Sequence, residues 1–190
     1  HLQLLPTVEV AVGDVHDDAT LDWMLRDTDA VINLVAILHG SNAEFERVHA
    51  ALPQRIADAC RRAGVRRLVH ISAVGAAADA PSKYLRSKAR GEAALRAAGL
   101  DLTILRPSVI FGERDRFLNT FAMLQAFAPV VPLASASARF QPVWVEDVAE
   151  AIAHCLDDAS TVGMTIECAP GTAGDGADSR TRLTRRRSAL

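Results

Sequence analysis

The sequence predicts an open α/β fold, a doubly wound parallel sheet with helices on both faces. Three observations predict it. Apolar runs of strand length at 29–38, 67–72 and 102–107 are nearly continuous, as in strands covered on both sides, rather than alternating with polar residues. Between them stand segments whose apolar residues recur three or four apart, the period of a helix lying on a sheet. Strand and helix alternate three times, with connections long enough for right-handed crossovers, which a sandwich or a bundle does not produce.

Taken in order, Val8 to Val12 is a short β-branched run closed by Gly13-Asp14, read as a buried strand turning into a loop. Asp18 to Arg26 reads as a short helix. Asp29 to Leu38 reads as the next strand, punctuated by His39-Gly40-Ser41-Asn42. From Ala43 to Ala63 the apolar positions Phe45, Val48, Leu52, Ile56, Ala59 and Cys60 share one helical face, Gly64 stops the helix, and Pro53 kinks it or marks its first turn. Arg67 to Ser72 is a strand, 73–81 a loop of small residues, and Tyr84 to Ala98 a helix ended by Gly99. Leu102 to Pro107 is a strand. Beyond it the pattern gives a helix at Phe117 to Phe127, a short strand at Gln141 to Val145, a helix at Glu146 to Leu156 with acidic residues in its first turn, and a last strand at Gly163 to Cys168. From Gly171 the chain turns to Gly, Ala, Thr and Arg with nothing to bury, and residues 171–190 read as a disordered tail.

Composition narrows the function classes. The 190 residues are 49% apolar and 23% charged, which suits a globular domain. A formal charge of -2 carries no global attraction to nucleic acid or anionic lipid. The tail holds five arginines against two aspartates, but reads as a terminus without function rather than a nucleic-acid arm. Cys60, Cys155 and Cys168 are odd in number and widely spaced, without a CxxC pair, so neither a disulfide framework nor a metal site is expected and a reducing cytoplasm is. The longest uncharged stretch, Leu118 to Ala138, contains Asn119, Gln125, Pro129 and Pro132 and reads poorly as a transmembrane span.

The residues with chemistry to offer begin at Tyr84-Leu85-Arg86-Ser87-Lys88. A Tyr and a Lys four apart lie one turn apart on the same helical face. An ammonium beside a phenol favours the phenolate, which suits the Tyr for general acid or base work. The plainer reading is a solvated Lys next to an amphipathic Tyr. Ser72 ends a buried strand, and ligands of open parallel sheets bind beyond the carboxyl ends of strands. A hydroxyl there, facing a Tyr/Lys pair, makes a set for polarising a carbonyl while a hydride moves. Its alternative is a strand-terminating hydroxyl bonded to nearby backbone.

Ser72 and Tyr84-x-x-x-Lys88, then Leu105-Arg106-Pro107-Ser108-Val109-Ile110-Phe111-Gly112, then Val143-Trp144-Val145-Glu146-Asp147-Val148-Ala149, resemble successive landmarks of the extended short-chain dehydrogenases/reductases. His70-Ile71-Ser72-Ala73-Val74-Gly75-Ala76 is similar to the atypical branch, often labelled nucleoside-diphosphate-sugar epimerases, that contains the nucleotide-binding accessory subunit of respiratory complex I and its bacterial relatives. The resemblance covers roughly residues 8–170. It implies a Rossmann-like sheet and NAD or NADP as cofactor. It implies Tyr84 as acid/base, Lys88 on the nicotinamide ribose and lowering the Tyr pKa, and Ser72 orienting a carbonyl. By the same resemblance Asp14 and Val15 sit near adenine, Val35 and Ala36 line the dinucleotide, and Pro107, Ser108 and Val109 pass the nicotinamide.

The family opens with a strand, a glycine-rich turn and a helix that hold the pyrophosphate. No such pattern occurs here, since Gly13 stands alone and Gly171, Gly174 and Gly176 follow no strand. The resemblance therefore implies a member that lacks the first βαβ unit, an N-terminally truncated or frame-shifted product that binds dinucleotide poorly. Residues 1–170 are then an incomplete NAD(P)-binding domain with the start of a substrate lobe. The implied function is an oxidoreductase or epimerase acting on a sugar-nucleotide or similar carbonyl or alcohol. The alternatives are a non-catalytic nucleotide-binding subunit of a respiratory assembly, cytoplasmic or peripheral to the inner membrane, and a nonfunctional fragment. Strand faces left uncovered favour homo-oligomers or association with a larger complex.

Overall fold

The computed structural model describes residues 7–112 and 141–169, and the backbone of 183–186. Its elements in chain order are α1 (Asp18–Met24), β1 (Ala30–Asn33), α2 (Asn42–Glu46), a π-turn (Arg47–Ala51), α3 (Leu52–Ala63), β2 (Arg67–Ile71), α4 (Lys83–Arg96), β3 (Asp101–Pro107), β4 (Ile110–Phe111), β5 (Val143–Trp144), α5 (Val145–Asp157), a 3₁₀ turn (Ala159–Thr161), β6 (Thr165–Cys168) and β7 (Leu183–Arg186). Hydrogen-bonded strands follow the order β1-β2-β3-β6-β7, and β4 and β5 form a separate pair. β3 and β6 run parallel, with Ile104 opposite Thr165 and Pro107 opposite Cys168. The open α/β sheet expected from the apolar runs is therefore what the chain forms.

Two compact units divide the chain. One comprises His1–Leu68 with Ala77–Leu102, the other Val69–Ala76 with Thr103–Leu190. In the first, α2, the π-turn and α3 are one continuous helical segment, begun by a capping box in which the Ser41 hydroxyl accepts from the Glu44 N–H and the Glu44 carboxylate from the Ser41 N–H. Pro53 sits in the first turn of α3 and has no N–H to give the His49 carbonyl four residues back. One turn is widened instead, with the Leu52 N–H bonded to the Arg47 carbonyl. Gly64, at φ 75, supplies the left-handed cap that ends α3. Leu52, Ala57, Ala59 and Cys60 are fully buried beneath it. Arg55 and Arg62 tie α3 to Asp18 and Asp22 of α1. Those exposed pairs contribute little to stability.

In the second unit the core is Val69, Leu105 and Ile166 from the strands with Ala151 and Cys155 from α5 and Cys168 of β6. A buried threonine pair ties β3 to the 3₁₀ turn, the Thr103 hydroxyl donating to the Thr161 carbonyl at 2.8 Å.

Several expectations change. Residues 8–12 form no strand, and Val8, Val10 and Val12 are exposed. No described strand pairs with this run. β1 stops at Asn33 rather than Leu38 because the Asn33 side chain accepts from the Val35 N–H at 3.1 Å, an Asx turn that takes the chain out of the ladder. The helix expected at Phe117 to Phe127 and the uncharged stretch at Leu118 to Ala138 lie outside the described residues. So does most of the expected tail, whose Leu183–Arg186 forms β7, antiparallel to β6. No described helix is long and apolar enough to cross a membrane.

At Gly91 of α4 an added Cβ would lie 1.9 Å from the His49 carbonyl oxygen. Gly91→Ala is therefore expected to lower the unfolding free energy by about 3 kcal/mol, measured by urea unfolding. A loss well below about 1 kcal/mol would contradict this packing.

Candidate functional site

α4 carries the candidate acid/base pair. Ser82 caps it, accepting from the Leu85 N–H at 3.0 Å. The Arg86 guanidinium holds the preceding turn, donating to the carbonyls of Ala80 at 2.6 Å and Pro81 at 2.8 Å. With that start fixed, Tyr84 and Lys88 fall one turn apart on the side packed toward the π-turn. Tyr84 is half-buried, edge-on to the His49 ring with centroids 5.2 Å apart and to Phe45 at 6.3 Å. Lys88 is 2% exposed. Farther along, the fully buried Glu92 pairs with Arg96 at 2.8 Å.

Burial governs the electrostatics here. It pushes the Lys88 ammonium down from 10.5 to about 8, against the pull of the Glu92 carboxylate. It also raises the Tyr84 phenol above its ordinary value. The lowering of the Tyr pKa implied by the resemblance is thus not what this structure has, because desolvation of the phenolate is the governing cause. Tyr84 is held as the protonated phenol, a hydrogen-bond donor at neutral pH.

The remaining candidates of the first unit lie in two loops. Asp14 is exposed, its carboxylate accepting from the His16 N–H at 2.9 Å in the turn before α1, and Val15 beside it is half-buried. Val35 and Ala36 are exposed just past the end of β1. The next residue, Ile37, donates its N–H to His49 Nε2 at 3.0 Å. His49 in turn meets Ser87 of α4, Nδ1 to Oγ at 2.8 Å. The loop carrying Val35 and Ala36 is thereby connected to the helix carrying Tyr84 and Lys88.

In the second unit, Ser72 follows directly on β2, and its N–H donates to the Leu105 carbonyl at 2.7 Å. The Val74 N–H donates to the Pro107 carbonyl at 3.1 Å, so the ends of β2 and β3 run on together. The Ser72 side chain is 4% exposed and its Oγ has no hydrogen-bond partner among the described residues. A buried hydroxyl left so costs about 1–3 kcal/mol, and a polar ligand atom relieves that cost. Among the described residues it makes no bond to nearby backbone, the alternative given for it above. Ser108 bonds through its N–H to the Cys168 carbonyl at 3.1 Å and through its hydroxyl to the Gln141 carbonyl. The Val109 carbonyl accepts from the Val143 N–H at 2.9 Å. Ser72, Pro107, Ser108 and Val109 therefore belong to one cluster of strand ends.

His49, Ser87 and Gly91 were not singled out by sequence reasoning. Ser87 lay inside the Tyr-x-x-x-Lys pattern, and a His one turn ahead of a helical Pro was the signal available for His49.

Lys88 also sets a stability test. Its folded-state pKa lies below its unfolded value, so between about pH 8 and 10.5 the unfolded chain holds a proton that the folded chain has released. Stability from this residue must rise with pH across that window. Relative to Lys88→Met, the wild-type chain is expected to gain up to about 3 kcal/mol between neutral pH and pH 10.5, measured by paired denaturant titrations. A flat difference would place the ammonium in water.

The chain resembles known proteins in sequence and in fold. The chain is 38% identical over 179 residues to mouse mitochondrial "NADH dehydrogenase [ubiquinone] 1 alpha subcomplex subunit 9", covering 87% of this chain and 45% of the relative. It is 33% identical over 150 residues to the "ceramide reductase" of Caulobacter vibrioides, covering 78% of this chain and 47% of the relative. The chain thus spans about half the length of the curated relatives it matches. Among solved structures, the UDP-glucuronic acid 4-epimerase of Bacillus cereus in complex with UDP-glucuronic acid and NAD superposes with a TM-score of 0.78 at 19% identity, over 90% of this chain and 63% of that one. The fold is therefore the Rossmann-like one of the NAD-binding epimerases and dehydratases. Residues 1–159 match the NAD(P)H-binding family, and the chain belongs to it.

Proposed function

We propose that the chain supplies the nicotinamide side of an NAD(P) site and, with it, the groups for hydride transfer between the cofactor and a carbonyl or alcohol of a sugar nucleotide or similar substrate. The observation that carries this reading is a Lys88 ammonium buried one turn from a protonated Tyr84 on α4, in a chain of the NAD(P)H-binding family. Lys88 holds the ribose hydroxyls, whose oxygens favour its charged form over the neutral one that burial alone favours. Tyr84 gives its phenolic proton to the oxygen of a carbonyl being reduced, and takes one back in the reverse direction. Ser72 offers its buried hydroxyl as a hydrogen-bond donor to a polar atom of the ligand. Val35 and Ala36 present backbone and small apolar surface to the dinucleotide, Pro107, Ser108 and Val109 border the nicotinamide, and Asp14 and Val15 take the adenine end. The bound cofactor supplies or accepts the hydride.

A second reading is a nucleotide-binding subunit without turnover in a respiratory assembly peripheral to the inner membrane. The similarity to complex I subunits of mouse and other organisms favours it.

Tyr84→Phe separates the two. Under the enzymatic reading, nucleotide-dependent turnover of a carbonyl substrate falls about 100-fold or more, the usual contribution of a general acid, while NADH affinity stays within about twofold. If wild type and variant bind NADH alike and neither turns over any carbonyl tested, the enzymatic reading fails and the assembly reading stands.

A further inference from the structure

A line of hydrogen bonds with one direction crosses the first unit. The Ile37 N–H donates to His49 Nε2 at 3.0 Å, so Nε2 carries no proton. In the neutral ring the proton is then on Nδ1, which lies 2.8 Å from Ser87 Oγ. The Ser87 hydroxyl donates onward to the Tyr84 carbonyl at 2.7 Å. His49 is 1% exposed and Ser87 0%. The other tautomer, or an imidazolium, would point an N–H at the Ile37 N–H inside a buried site.

We infer that His49 is a positioning residue: fixed as its Nδ1–H tautomer, it ties the loop that carries Val35 and Ala36 to the turn of α4 that carries Tyr84 and Lys88. It thereby sets the spacing between the dinucleotide wall and the groups that work on the nicotinamide side. The inference rests on the NAD(P) reading above.

Three further features support a positioning role. His49 lies in the π-turn, and such turns recur at functional sites. Its carbonyl is pressed against Gly91, so the backbone behind the ring is held as firmly as the ring. The titratable groups facing the ring are Tyr84 and Lys88 of α4, while α2 offers the uncharged Phe45. Burial first and the Lys88 ammonium second push the imidazole down to about 4, so the neutral ring persists at physiological pH.

The test compares the full chain with His49→Leu, which fills the space without bonding, and His49→Gln, whose amide can accept from Ile37 and donate to Ser87. Binding of NADH is followed by amide chemical shifts, and the tie by hydrogen exchange at the Ile37 N–H. Expected are a loss of affinity of about tenfold in His49→Leu, recovery to within about threefold in His49→Gln, and Ile37 protection that follows the same order. Equal affinity in all three proteins overturns the inference. If the wild type binds no NADH or NADPH, the NAD(P) reading fails, and Ile37 protection alone decides whether the tie exists. Should His49→Leu fail to fold, the ring nitrogen shifts of wild-type His49 decide, because an Nε2–H tautomer there contradicts the inference without any variant.

Discussion

The structure of the first unit depends on two helical segments meeting with no side chain between them. Pro53 leaves the His49 carbonyl without its helical donor, and Gly91 lets α4 come down onto that carbonyl. Any residue larger than glycine would hold α4 away. Because it is not held away, Ser87 reaches the His49 ring, and Lys88 and Glu92 lie almost wholly out of water. The chemistry attributed to α4 is thus a consequence of a backbone contact made elsewhere on the same helix.

Burial acts on the acid/base pair in opposite directions and toward the same end. It disfavours the ammonium of Lys88 and the phenolate of Tyr84 alike, so each group is driven toward its neutral form. For Lys88 the shift places its titration close to physiological pH, where a few hydroxyl contacts from a ligand decide whether it is charged. For Tyr84 the same force makes the phenol a durable proton donor and an unwilling base.

Much of this was legible in the residues. The continuous apolar runs at 67–72 and 102–107 became β2 and β3 because strands inside a sheet are covered on both faces, and Gly64 and Gly99 marked the ends of their helices. Tyr84 and Lys88 could be paired because four residues on a helix fix a spacing. The run at 8–12 misled, since a β-branched segment becomes a strand only where a neighbour offers it a ladder. Asn33 misled in another way: a side chain closed the turn and ended β1 inside an apolar run. His49 and Ser87 were illegible because 38 residues separate them in the chain, and no local pattern records that Pro53 and Gly91 bring them together. The Tyr84 pKa was misjudged for a related reason, as spacing tells that a Lys is near and says nothing of how dry the place is.

The central claim is that the Tyr84 face of α4 receives the nicotinamide end of a dinucleotide. Tyr84 is the chain's single tyrosine, so its ring protons give an unambiguous signal in nuclear Overhauser measurements with NADH. Transfer is expected between the Tyr84 ring and protons of the nicotinamide and its ribose. Transfer from adenine protons instead, or none to Tyr84 while NADH is bound, would contradict it.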